Sequence, residues 1–183
     1  MMKQKLLFVM AALALLVIVP GCKKETKPTP RPSVWSEDST NVKMSDNKVL
    51  VPFKRLENGL AEVRVVMNDV PFNMWWDTGA STTCISLLEL QKLHKEGKIE
   101  LDEDFEGISV AQLADGSSAE LPVFNIRELY IQGQNDTSYL ILRDIEAQVI
   151  PNAEAPMLLG QNVISQLPKH SFNESMGVIE FDK

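Results

Sequence analysis

The pattern of apolar and polar positions divides the chain into three parts. Residues 6–19 are an unbroken apolar run, residues 23–47 have little to bury, and from residue 49 onward apolar positions mostly alternate with polar ones. Strict alternation marks a strand with one buried face. Residues 50–53 read as a short edge strand, where Pro52 is tolerated. Asn58-Gly59 is a hairpin turn signal. Ala61, Val63, Val65 and Met67 then alternate with Glu62, Arg64 and Val66, and Asn68-Asp69 turns the chain into a second strand over residues 70–76.

The period changes after Ser81. Residues 86–95 predict a helix, with Ser86 as N-cap, Glu89 three residues on, and Leu87, Leu88 and Leu93 on its inner side. Lys95, Gly97 and Lys98 suit its C-terminal end, and His94 reads as a surface residue in the last turn. Residues 100–106 read as an acidic, solvated connection. Strands are predicted over residues 108–113 and 118–124 around Asp115-Gly116, and over residues 127–132 and 139–150 around a polar turn at 133–137. Residues 157–160 predict a short buried strand ending at a glycine. A helix follows over residues 161–167, stopped by Pro168, with Val163, Ile164 and Leu167 inward. A last hairpin pairs residues 171–172 with 178–181. Many short strands with regular turn signals predict an all-β domain with one or two short helices, and no internal repeat is visible.

Composition narrows the function. With 183 residues, 44% hydrophobic and 23% charged, the chain can build one domain with a real core. A formal net charge of -7 leaves no basic stripe to neutralise phosphates, which argues against nucleic acid as a partner. No glycine-rich phosphate loop and no zinc-type Cys/His pattern is present, so neither a metal nor another cofactor is expected. The two histidines, His94 and His170, have no partner motif, which disfavours Ser-His-Asp and Cys-His chemistry.

The N-terminus carries an address. Met1-Met2-Lys3-Gln4-Lys5 is a basic n-region, and the apolar run that follows has the length of a signal-peptide core and is short for a membrane span. Ile18-Val19-Pro20-Gly21-Cys22 resembles a bacterial lipobox. That resemblance implies cleavage before Cys22, lipidation of Cys22, and a protein held in the bacterial cell envelope by a lipid anchor. An uncleaved anchor and an ordinary signal peptide are the alternatives. Residues 1–21 are thus read as signal peptide, residues 22–47 as a Lys-, Thr- and Pro-rich tether, and residues 48–183 as the folded domain. Trp35 is the one residue of the tether that can dock back. Cys84 is conceivable as a disulfide partner of Cys22; if Cys22 is lipidated, Cys84 is a packed, unpaired thiol.

The candidate chemistry sits where the apolar strand Phe72-Asn73-Met74-Trp75-Trp76 ends at Asp77. A carboxylate at the end of a buried strand is costly to ionise unless hydrogen bonds hold its charge. Thr78 and Ser81 bring hydroxyl donors, and Gly79 lets backbone N–H groups approach. Asp77-Thr78-Gly79-Ala80-Ser81, then Leu113-Ala114-Asp115-Gly116-Ser117 running into Glu120-Leu121-Pro122-Val123, then residues 144–151, and finally Pro156-Met157-Leu158-Leu159-Gly160-Gln161 follow one another in order. Together these four pieces resemble the retropepsin-like aspartic proteases, in particular the bacterial single-domain group.

The resemblance implies an acid-protease barrel with a flap hairpin. It implies an aspartic endopeptidase in which Asp77 is half of the site and Asp77 of a second copy the other half, so that the enzyme is a homodimer. The two carboxylates would share one proton, the ionised one acting as base on a water and the protonated one donating to the scissile carbonyl. Thr78 would brace the loop across the two-fold axis, and Leu159 and Gly160 would pack behind it. Ala114, Asp115, Gly116 and Ser117 would form the flap tip over a peptide substrate. The terminal strands, residues 50–53 and 178–181, are candidates for pairing across the dimer as in viral relatives. Trp76 is bulkier than the aliphatic residue common before the Asp, and reads as core filling, with the shaping of a pocket as the alternative. A second reading keeps the scaffold but not the catalysis, a peptide-binding envelope lipoprotein; a third is a structural envelope lipoprotein with a chance triplet.

Overall fold

A computed structural model of the protein describes residues 48–112, 116–135 and 138–183. The segment read as signal peptide, Cys22 and the tether lie outside the described residues, as do Ala114 and Asp115 of the hairpin tip. Strands β1 (Lys48–Arg55), β2 (Ala61–Met67), β3 (Val70–Trp76) and β4 (Thr83–Ser86) precede helix α1 (Leu87–Lys95). Strands β5 (Phe105–Gln112), β6 (Ser118–Gln132), β7 (Tyr139–Ile150) and β8 (Leu158–Leu159) lead to helix α2 (Gln161–Ile164), and β9 (His170–Asn173) and β10 (Val178–Asp182) end the chain. The expected all-β architecture with two short helices is what the described residues form.

The strands run in the order β5-β6-β7-β4-β8-β3-β2-β1-β10-β9, with an additional β6–β2 pairing. That pairing sets Val65 opposite Ile131 and Met67 opposite Leu129, and it closes β6, β7, β4, β8, β3 and β2 into a barrel. The alternating residues Val63, Val65 and Met67 point inward with Met74, Ile85, Leu129, Ile131 and Ile145, all nearly or fully buried. Burying each such side chain contributes about 1.5–3 kcal/mol before entropy is counted. The β2–β3 hairpin turns on Asn68 and Asp69 at φ 45° and 69°, the two left-handed positions that a tight hairpin turn needs and that Asn and Asp tolerate. Asn68 also spans to neighbouring chain: its Nδ2 donates to the Lys98 carbonyl at 2.9 Å and its Oδ1 accepts the Glu128 N–H at 3.0 Å.

Several local expectations need correcting. The predicted breaks at residues 107 and 125–126 are not breaks. β6 is one strand through Asn125, whose N–H is satisfied by the Asp104 carbonyl at 2.8 Å, and β5 begins at Phe105. The loop before β5 is not wholly solvated: Asp104 is buried, accepts the Glu100 N–H at 2.8 Å and receives Arg127 Nε and Nη2, both at 2.8 Å. In α1, Leu90 and Leu93 face inward three residues apart, whereas Leu88 is 53% exposed. The predicted cap is present, with Ser86 Oγ accepting the Leu88 N–H at 3.1 Å and bonding the Glu89 carboxylate. The second helix is shorter than predicted, one turn over Gln161–Ile164.

The terminal strands are paired within the chain. β1 and β10 are antiparallel, with Leu50 opposite Glu180 and Val51 opposite Ile179, and the other side of β10 is taken by β9. β1 pairs β10 over Lys48–Pro52 and turns to β2 over Phe53–Arg55.

Candidate active site

Asp77 is the first residue after β3, and its loop is held from behind by β8. β3 and β8 run parallel, with Trp76 opposite Leu159. The Asp77 N–H donates to the Leu159 carbonyl at 3.1 Å, which continues the ladder one residue past the strand. The loop then folds on the carboxylate itself: the Gly79 N–H donates to Asp77 Oδ1 at 2.8 Å and the Ala80 N–H to the Asp77 carbonyl at 3.3 Å. A Cβ on Gly79 would stand 3.2 Å from Asp77 Oδ1, so the glycine is what allows this turn to close around the acid. Asp77 is half-buried, and Thr78, Gly79 and Ser81 are exposed. A carboxylate in this position is oriented by backbone yet open to solvent, which suits a group that must meet a water and a substrate.

Gly160 packs against the backbone of Thr82 and Thr83. A Cβ there would lie 2.4 Å from the Thr82 carbonyl carbon and 2.5 Å from its oxygen, closer than any side chain can be placed. From this contact α2 reaches back into the loop. The Gln161 N–H donates to the Ala80 carbonyl at 2.8 Å, the Asn162 N–H to the Ser81 carbonyl at 3.1 Å, and Gln161 Nε2 to the Thr78 carbonyl at 3.2 Å. Leu159 is fully buried beneath it.

Asn162 is a residue that sequence reasoning missed. Its Oδ1 accepts both the Thr83 N–H at 2.8 Å and Thr83 Oγ1 at 2.9 Å, and its Nδ2 donates to the Glu146 carbonyl at 2.8 Å. Thr83 Oγ1 accepts in turn the Gly160 N–H at 3.2 Å, so the N–H and hydroxyl of the fully buried Thr83 are satisfied through α2 and Gly160, the residue before its first. The available signal was a pair of side-chain amides, Gln161-Asn162, directly after the apolar-apolar-glycine segment.

Cys84 lies on the other side of the loop. It is buried and reduced, its thiol directed to the Thr82 carbonyl at 3.4 Å, and burial followed by the nearby Asp77 charge pushes it up to about 11. Its sulfur is 3.8 Å from Gln148 Oε1, and Gln148 Nε2 donates to Ser109 Oγ of β5 at 2.8 Å. A polar chain therefore links the strand after the Asp77 loop to the hairpin formed by β5 and β6. Gly116 and Ser117 are exposed near that hairpin's tip. Trp76 is core, as expected: it is 4% exposed and packs edge-to-face on His170 and Phe172, with ring centroids 5.3 Å and 5.9 Å away. Its indole N–H has no hydrogen-bond partner among the described residues.

No curated protein matches the chain. Among solved structures, a retropepsin-like aspartic protease from Rickettsia conorii is similar at TM-score 0.49 and 14% identity, covering 73% of this chain and 90% of that one. The family described as gag-polyprotein putative aspartyl protease matches residues 63–166, more than half of the chain. That span takes in the Asp77 loop, the β5–β6 hairpin and the Gly160-Gln161-Asn162 clamp, and by that match the chain belongs to this family of gag-polyprotein aspartyl proteases.

Proposed function

We propose that the protein is an aspartic endopeptidase that works as a homodimer, each copy supplying one Asp77. The observation that carries this reading is the Asp77 carboxylate itself, fixed by the Gly79 N–H at 2.8 Å and by β8 behind, yet open to solvent on a loop with exposed Thr78 and Ser81. One such carboxylate can hold a water or donate a proton, and peptide hydrolysis needs both at once. Two copies of the loop facing one another supply both. The ionised Asp77 takes a proton from water as its oxygen attacks the scissile carbonyl carbon, and the protonated Asp77 donates to the carbonyl oxygen. Collapse of the resulting diol breaks the C–N bond as the Asp77 that took the water's proton passes it to the departing nitrogen, and the other Asp77 regains its proton from a diol hydroxyl, leaving an acid and an amine. Thr78 braces the paired loops, and the β5–β6 hairpin with Gly116 and Ser117 at its tip closes over the peptide.

In this reading the protein belongs with the bacterial single-domain enzymes. The lipobox-like segment ending at Cys22 attaches it to a membrane of the cell envelope, and residues 22–47 hold the catalytic domain away from the lipid surface. The test is cleavage of a peptide library at mildly acidic pH by the chain and by Asp77→Asn. Cleavage by the parent and none by the variant, with unchanged melting behaviour, supports the reading; equal cleavage by both sinks it. Labelling with a fatty acid that disappears in Cys22→Ser tests the anchor.

A further inference from the structure

We propose that Gln148 is a positioning residue of this protease, holding the β5–β6 hairpin at Ser109 against the strand that follows the Asp77 loop. The proposal rests on the protease reading above and adds to it a residue that never touches the reacting atoms.

β5 ends the strand order, and its ladder partner is β6. Any further hold on the barrel must therefore come from side chains. The register places Gln148 of β7 opposite Val123 of β6, and Val123 opposite Gly107 of β5. In a flat sheet two strand spacings, about 10 Å, would separate Gln148 from β5. Ser109 lies two residues further along that strand. The hairpin closes the gap by bending. Its ladder is irregular between Phe105 and Gly107, and Gly107 stands at φ 132°, a backbone region that residues with side chains rarely enter. Beyond the irregularity Ser109 and Ala111 are half-buried, while Ile108 and Val110 turn outward, Val110 at 70% exposure. On β7, Ile145, Ala147 and Val149 turn to the core, so half-buried Gln148 turns to the opposite face, under the bent hairpin.

The amide is explained by what it reaches. Its Nε2 donates to Ser109 Oγ at 2.8 Å, and its Oε1 lies 3.8 Å from the Cys84 sulfur. Cys84 is directly opposite Gln148 on β4, and its thiol is directed to the Thr82 carbonyl at 3.4 Å. Packing alone would be served at least as well by leucine, which has no polar atoms to satisfy in a half-buried place. The amide instead finds partners on β5 and β4, two strands that do not pair with each other. One side chain thus relates the height of the hairpin to the position of the strand that leaves the Asp77 loop. A peptide entering between them meets a hairpin already set in place, so loss of the bond weakens binding more than it slows the chemical step.

The test uses the full chain in detergent with the best-cleaved member of the peptide library. Gln148→Leu keeps the bulk and removes the amide; Ser109→Ala removes its partner. Each should raise KM about two- to tenfold, the worth of one hydrogen bond, with kcat nearly unchanged. The double variant should be no worse than the worse single one, since both break the same bond. Ser109→Thr, which keeps the hydroxyl, should leave KM close to the parent value. Amide hydrogen exchange gives a readout without catalysis: exchange over residues 107–112 should speed up in both single variants, while β2 and β3 stay as protected as in the parent. A merely structural Gln148 would lower the melting temperature and the fraction of active enzyme, so that kcat falls and KM stays; that result overturns the proposal. A raised KM with unchanged exchange also overturns it, because Gln148 would then touch the peptide itself. A parent that cleaves, with variants indistinguishable from it, removes the positioning role and leaves the protease reading intact. A parent that cleaves nothing sinks the protease reading, and the role of Gln148 with it, whatever the exchange shows.

Discussion

Asn162 holds Thr83 twice, its amide oxygen receiving both the Thr83 N–H and the Thr83 hydroxyl, at 2.8 and 2.9 Å. Thr83 is fully buried and begins the strand that follows the Asp77 loop, so neither donor can turn to water instead. Asn162→Ala should destabilise the protein by about 1–3 kcal/mol in chemical denaturation, the cost of leaving buried donors unmade. Asn162→Asp keeps the acceptor for both Thr83 donors but sets a carboxylate oxygen against the Glu146 carbonyl, so it should be the milder change only at a pH low enough to protonate the new acid. Equal losses in the two variants at that pH would mean that Thr83 is not what Asn162 serves.

Gly160→Ala tests the contact behind the loop. The added methyl meets the Thr82 carbonyl group and the Thr83 nitrogen within 2.8 Å, and all of these are backbone atoms that cannot rotate aside. The loop must move, at about 1–3 kcal/mol and occasionally more. Gly79→Ala meets only the tip of the Asp77 side chain at 3.2 Å. It should therefore spare stability more than Gly160→Ala does while disturbing the carboxylate, which a melting curve and a cleavage assay together would separate.

Cys84 reports the charge on Asp77 without any need for activity. Its thiol lies near 11 in the folded protein against 9.0 for an ordinary thiol. Alkylation of the folded chain at pH 8 should be slow, and Asp77→Asn, which removes one of the two causes, should speed it at pH 9. The same shift contributes to a fall of stability at alkaline pH. Below pH 9.0 the thiol is protonated in both states and its contribution is fully present. Between 9.0 and about 11 the unfolded chain ionises first and stability falls, levelling off above the folded value. Cys84→Ser should make the fall shallower in a pH series of denaturation curves, leaving the part that Tyr130 and Lys48, both raised, contribute.

Asp104 is a buried carboxylate held by Arg127 at two positions and by the Glu100 N–H. Arg127→Ala leaves the backbone bond but strips the charge partner, and should cost about 1–3 kcal/mol, less than a fully buried pair because Arg127 is half-exposed. Asp104→Asn keeps the shape and tests the charge alone. Thermal melts of the two variants should both fall; an unchanged melt for Arg127→Ala would show that the pair adds nothing.

Local signals carried the local parts of this fold. The alternation through β2 and β3, the left-handed Asn68-Asp69 turn, the Ser86 cap and the tight glycine at 160 were all visible in short windows of sequence. So was Asp77 as the end of an apolar strand. What short windows could not show was pairing between distant residues. β4 was missed because Thr83–Ser86 is buried on both faces and shows no period two. Asp104 was read as solvated because its partner Arg127 is 23 positions away. Leu88 was placed inward because three leucines near one another look alike until the surface they meet is known. The pairing of β1 with β10 joins the two ends of the domain, and nothing in either strand names the other.

The clamp between Thr83 and Asn162 also bears on when the Asp77 loop takes its folded form. The residues it joins are 79 positions apart, and the Gly160–Thr83 bond spans 77. During synthesis the Asp77 loop leaves the ribosome long before the segment that fastens it. Contacts of such long sequence separation form late. A nascent chain therefore carries Asp77 on an unanchored loop and gains a formed loop only once nearly the whole domain has emerged.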